Sequence, residues 1–148
     1  MSVEANKAII RKMVEAINTR KLSLLDELMA SDFIMHMHNQ VTQGVKENKQ
    51  IVEGEIKAFH DFNVTIEDII AEGDKVWARF TETGTHTGEY RGLTPTGNAL
   101  SYLVVTIWRI VKGIIVEGWV VYDQTEFLRQ LGVIEYTEQG KQLFPESE

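Results

Sequence analysis

The chain contains no cysteine and only two prolines among its 148 residues. Without cysteine there are no disulfides, thiolate nucleophiles, iron–sulfur clusters or thiolate zinc sites, although the redox compartment stays open. With so little proline, and with 43% hydrophobic and 25% charged residues, the composition is neither that of a linker nor that of a disordered chain. No apolar run approaches the ~20 residues a membrane span requires. The opening stretch Met1-Ser2-Val3-Glu4-Ala5-Asn6-Lys7 has neither the basic start nor the apolar core of a signal peptide. A cytoplasmic protein with no membrane partner is expected. Positive charge is also scarce: fifteen Lys and Arg stand against twenty-two Asp and Glu, giving a formal net charge of −7. The basic residues are scattered, whereas phosphate neutralisation needs them clustered, so nucleic acid is not an expected partner.

What is present reads as one domain of ordinary size, residues 1–137, followed by a loosely held polar tail, 138–148. Ile9, Ile10, Met13, Val14 and Ile17 recur at helical spacing and predict an amphipathic helix over Ala8–Asn18. A second, shorter helix is expected from Ser23, whose hydroxyl can cap free amides. Ser31–Asn39 alternates, with Phe33, Met35 and Met37 on one side and Ile34, His36 and His38 on the other, and predicts a strand. Val45–Phe59 returns to helical spacing through Ile51, Val52, Ile56 and Phe59. Four strands rich in Val, Ile, Thr and aromatics follow: Phe62–Ala71, Val76–Thr87, Leu100–Val111 and Ile114–Asp123. Tight turns are expected at Gly73-Asp74 and Lys112-Gly113, and a last helical turn, Glu126–Leu131, ends at Gly132. Neighbouring strands with short turns imply an antiparallel sheet with helices over one face, an α+β fold.

Several words between Phe59 and Gly132 match a known family in order and spacing. They are Phe59-His60-Asp61-Phe62, Ile70-Ala71-Glu72-Gly73-Asp74-Lys75-Val76, Gly84-Thr85-His86-Thr87-Gly88-Glu89, Gly92-Leu93-Thr94-Pro95-Thr96-Gly97, and Trp119-Val120-Val121-Tyr122-Asp123 followed by Leu128-Arg129-Gln130-Leu131-Gly132. Through them the chain resembles the SnoaL-like polyketide cyclases, also called ester cyclase-like, of the NTF2-like superfamily. The resemblance implies an α+β cone: a curved antiparallel sheet wrapped around N-terminal helices, one internal pocket, and a homodimer packed through the outer sheet face. It also implies no cofactor and no metal.

Asp123 is the first candidate for chemistry. It closes the strand Ile114–Tyr122, where Glu117 is the only other charge, and strand parity puts it on one face with Trp119 and Val121. If that face lines the pocket, apolar surroundings raise the carboxyl toward values useful for proton transfer. Equally, Asp123 can cap the helix that Gln124 opens. The resemblance implies the first role, since the characterised cyclases use an Asp at this motif position as general acid/base. His36 and His86 match positions where relatives often carry His, and a neutral imidazole there can orient Asp123 or donate to a carbonyl. His38 and His60 are weaker candidates. Arg79, Trp77, Trp119 and Tyr102 are candidate substrate-binding residues, against the plainer reading that sheet aromatics are core or interface. Two departures weaken the family chemistry: Gly118 stands where relatives often place His, and Val121 where characterised cyclases carry a polar partner.

The leading expectation is a cofactor-free acid/base enzyme acting on a small hydrophobic carbonyl compound. Asp123 would move the proton and His86 or His36 would bind the enolate oxygen, with intramolecular aldol closure as the family version of the step. The alternatives are a small-molecule-binding module without catalysis, and a dimerising interaction domain whose cone is filled by its own side chains.

Overall fold

The computed structural model describes residues 2–38 and 40–145. Helix α1 runs over Val3–Asn18, starting earlier than apolar spacing alone predicts, because the Ser2 hydroxyl accepts from the Ala5 amide at 3.1 Å and caps it. A 3₁₀ turn, Leu22–Leu24, leads into α2, Leu25–Leu28, so Ser23 lies inside the turn rather than at a cap. Strand β1 spans Met29–Met37; the expected strand extended to Asn39, which lies outside the described residues. The short polar strand β2, Gln40–Gln43, was not expected. Helix α3 follows over Val45–Ala58, then β3, Asn63–Glu72, β4, Lys75–Thr85, β5, Ala99–Val111, β6, Ile114–Tyr122, and α4, Gln124–Leu131. Gly132 ends α4 in the left-handed region at φ 84°, as its position predicts.

The six strands form one sheet in the order β2-β1-β6-β5-β4-β3. The four strands from β3 to β6 pair antiparallel, as expected, and β1 and β2 are antiparallel as well, whereas β1 joins β6 in parallel, a pairing that was not expected. Register shifts in β3, between Ile66 and Asp68, and between β5 and β6, at Arg109/Ile110, bend the strands and curve the sheet. Helix α1 packs on β3 and β4, α3 on β1 and β2, and α4 on β5. The result is an α+β cone. Its inner face is plain in β5, where Leu100, Tyr102, Val104, Thr106, Trp108 and Ile110 are buried while Ala99, Ser101, Leu103 and Val111 are exposed.

The segment read as a loose tail is partly ordered. Glu138–Leu143 forms α5, capped by the Thr137 hydroxyl, and Tyr136 stacks on Phe144 with ring centroids 5.6 Å apart. The end of the expected tail, from 146 on, lies outside the described residues. Among the described residues no helix is long and apolar enough to cross a membrane.

Candidate active site

The cone encloses a cavity of about 210 Å³ between α1, α3, α4 and the inner sheet face. Its apolar wall comes from inward positions such as Met13, Val14, Phe80, Val104, Trp108 and Phe127. Set into that wall are two carboxyls, Glu55 from α3 and Glu82 from β4, and three tyrosines, Tyr90, Tyr102 and Tyr122. Both glutamates follow from local geometry. Glu55 lies one helical turn after Ile51 and one before Phe59, inside the apolar stripe of α3. Glu82 continues the inward row Val76, Ala78, Phe80 along β4.

Glu82 is the direct register partner of Tyr102 on β5, and the Tyr102 hydroxyl donates to its Oε2 at 2.7 Å. Both glutamates are half-buried and line the void. Burial is the main cause that raises both, Glu55 to about 8 and Glu82 to about 7. The Glu82 charge raises Glu55 further, while the tyrosine hydrogen bond partly restrains Glu82. Two like charges in one largely apolar site cannot both ionise cheaply, which favours a proton retained by the pair near neutral pH. Burial likewise pushes the tyrosines up, Tyr90 to about 12, so they stay hydrogen-bond donors. Tyr90, Tyr102 and Tyr122 pack around Phe127 with centroids 5.0–5.9 Å from its ring, which fixes their directions.

The sequence-predicted residues do not converge. Tyr102 lines the cavity; Asp123, His36, His86, Trp119, Arg79 and Trp77 do not. Parity correctly groups Trp119 with Val121, but that face of β6 is the outside of the cone, and Val120 and Tyr122 point in. Asp123 is exposed and caps α4, its Oδ1 accepting from the Glu126 amide at 3.0 Å. His36 stacks on Trp119 at 5.3 Å on the outer face and bonds Glu117 at 2.9 Å, which also takes Arg109 at 3.2 Å. Trp77 and Arg79 are exposed on the same outer face.

His86 is fully buried at the base of the 86–98 loop. Its Nδ1 accepts from the Thr96 amide at 3.1 Å, which places the proton on Nε2, and Nε2 has no partner among the described residues. It holds the loop rather than facing the void. His38, expected on the face of His36, turns inward instead. Its left-handed backbone, φ 36°, breaks the strand alternation and lays the ring edge-on to Tyr122 at 4.8 Å in the cavity lining. His60 is exposed and bonds Thr87. Among the described residues no three His, Asp or Glu side chains converge in a way that could hold a metal ion.

Gly118 has a packing reason. It faces Trp108 in register across β5 and β6, and a β-carbon on it would lie 2.8 Å from the indole and 3.2 Å from Met35 Sδ. No side chain fits while Trp108 is there. Gly118→Ala is expected to destabilise the protein by roughly 1–3 kcal/mol through overpacking, measured as a lower urea midpoint with an unchanged slope.

A sequence profile described as SnoaL-like polyketide cyclase matches residues 7–131. No curated protein matches the chain significantly. Among solved structures, AclR of Streptomyces galilaeus, provisionally named a hydroxylase, is 32% identical over 93% of this chain and 91% of its own, with a TM-score of 0.83. IdmH of Streptomyces antibioticus, provisionally named a polyketide cyclase, is 30% identical over 86% of this chain and 99% of its own, with a TM-score of 0.74. TsrD of Streptomyces laurentii shares the fold at 22% identity, covering 90% of this chain and 99% of its own, with a TM-score of 0.82. The names of the first two differ in reaction, so chemistry has to be argued from the cavity.

Proposed function

The chain belongs to the SnoaL-like polyketide cyclase family, and from that premise we propose that it closes a ring in a small hydrophobic carbonyl compound by acid/base catalysis, without a cofactor, inside the cone. The observation that carries this reading is the half-buried Glu55–Glu82 pair facing an apolar void. In the singly protonated pair, ionised Glu82, held by Tyr102, removes a proton α to a carbonyl while protonated Glu55 gives its proton to the carbonyl oxygen. The C–H electron pair becomes the enol double bond. The enol carbon then attacks a second carbonyl carbon of the same molecule. The new alkoxide takes the proton now on Glu82, and Glu55 recovers the enol proton as the first carbonyl re-forms. Atoms and charges balance as an isomerisation, and holding the chain folded in the cavity contributes on the order of 7 kcal/mol.

Asp123 is not given the proton-transfer role in this scheme, because its carboxylate is committed to the α4 cap outside the cavity. The test is deuterium wash-in at the α-carbons of a benzo-fused ketone such as 2-tetralone, followed by proton NMR. Exchange is expected above the buffer rate, with a bell-shaped pH profile whose limbs lie near 7 and 8, the values for Glu82 and Glu55. A rate that rises steadily with pH would favour the binding-module reading. The filled-cone alternative loses its premise in a cavity of about 210 Å³.

The proposal includes a homodimer through the outer sheet face. Ile70, Trp77, Ile107, Trp119 and His36 are successive register partners across five strands, and Ile70 and Trp77 are 61% and 47% exposed. An apolar row of that length is better buried than wet. Light scattering at micromolar concentration is expected to give twice the chain mass, and Trp77→Glu the monomer mass.

A further inference from the structure

Among the described residues the cavity lining carries one fixed positive charge, Arg91, and its chemistry bears on what the cavity takes. Arg91 stands at the tip of the 86–98 loop, in a two-residue turn closed by Tyr90 and Leu93, whose amides donate to each other's carbonyls at 3.0 and 2.8 Å. Arg91 and Gly92 occupy the turn's left-handed positions, φ 47° and 84°. The loop is docked: the Thr87 and Gly88 amides donate to the Ala58 carbonyl at 3.0 and 2.9 Å, and Gly88 lies so close to the Lys57 carbonyl that a β-carbon would collide with it. The guanidinium carbon sits 5.4 Å from the Tyr90 ring centroid, a cation–π contact, and Arg91 both lines the cavity and is exposed, which puts it at the opening.

Arg91 makes no ion pair among the described residues, whereas Arg109 is paired with Glu117. The carboxylates nearest in the cavity do not fill that role. Glu55 and Glu82 lie in a wall that disfavours their charge, and Asp123, outside the cavity, is spent on an amide. The positive charge of Arg91 opposes the upward shifts of Glu55, Tyr90 and Tyr122, all of which line the same cavity. A planar, weakly hydrated cation that donates no hydrogen bond among the described residues matches a carboxylate.

We infer that Arg91 binds the carboxylate end of the ligand at the cavity mouth, so that the substrate class is an aryl or polyketo carboxylic acid whose apolar body and carbonyls lie deeper, against Glu55 and Glu82. This rests on the cavity being the ligand site, as in the function proposed above. Arg91 would then set specificity and orientation, placing the reactive carbonyl a fixed distance inward from the anionic end.

The test compares 2-naphthylacetate with its methyl ester, read by calorimetry and by tryptophan fluorescence, to which the cavity-lining Trp108 contributes, on wild-type protein, Arg91→Gln and Arg91→Lys. Arg91 is exposed, and both replacements keep its β-carbon, so neither adds backbone strain. Wild type is expected to bind the acid at least tenfold more tightly than the ester. Arg91→Gln should lose that preference by weakening the acid alone, and Arg91→Lys should restore part of it. Equal affinity for acid and ester, or an Arg91→Gln loss shared by both, overturns the inference and leaves the cavity reading standing. Failure of both probes to bind at millimolar concentration overturns the cavity reading and the inference with it.

Discussion

Glu82→Gln is expected to lower turnover about 10²–10⁴-fold while changing ligand affinity less than about twofold. The amide keeps the size of the side chain, and its oxygen still accepts from the Tyr102 hydroxyl that holds Glu82 at 2.7 Å. What it removes is the group that takes the proton. Because Gln keeps the packing, a loss in kcat without one in KM separates a chemical role from a structural one. Asp123→Asn is the paired control. Asn caps a helix nearly as well as Asp, so that variant should retain turnover and lose at most a few tenths of a kcal/mol. If the control abolished turnover and Glu82→Gln did not, the chemistry would belong to the outside of the cone and the cavity assignment would fall.

The second large effect is a loss of stability on the alkaline side. Burial raises Glu55 to about 8 and Glu82 to about 7, above the ordinary value of 4.5 that applies in the unfolded chain. The folded state therefore binds protons more tightly than the unfolded one. The stabilisation is fully present below pH 4.5 and is lost as the pH rises through 7 and then 8. The loss begins at pH 4.5, and the part of it that falls between pH 6 and 9 should be on the order of 4 kcal/mol. Carboxylates with lowered values, such as Glu117, held down first by His36, and Asp61, held by Thr85, act only on the acid side, below the ordinary carboxylate range. Urea unfolding at a series of pH values is expected to show the midpoint falling between pH 6 and 9 in the wild type, and a much flatter profile in Glu55→Gln/Glu82→Gln. A wild-type midpoint independent of pH in that window would show that the pair is hydrated and not dry.

Much of the fold is legible in the sequence because its signals are local. The alternation in β5, the turn at Lys112-Gly113 and the stripe of α1 each depend on neighbours a few residues apart. The parallel pairing of β1 with β6 joins segments eighty residues apart and leaves no trace in either, and β2 is too short and polar to announce itself. The site is harder for a related reason. Parity groups the residues of β6 correctly, but which group faces inward depends on where the helices lie. Here polarity does not decide it, since the outer row with Trp77, Ile107 and Trp119 is as apolar as a core. Attention to the chemically rich residues therefore selects the wrong face. The better signal is a charge where a pattern forbids one: Glu55 amid Ile51, Val52, Ile56 and Phe59, and Glu82 two residues after Phe80.

The register pair Trp108 and Gly118 also bears on how such a cavity can change. Trp108 lines the void, and the bare backbone of Gly118 is what makes room for its indole. Bulk at this floor is thus conserved between two adjacent strands, and neither position can vary alone without a clash or a hole. A smaller residue at 108 with a branched one at 118 would move the floor toward β6, leaving the carboxyl pair and Arg91 where they are. Reach along the ligand would change while the chemistry stayed fixed, so a change in accepted chain length requires two coordinated substitutions, reached through a less stable single variant in either order.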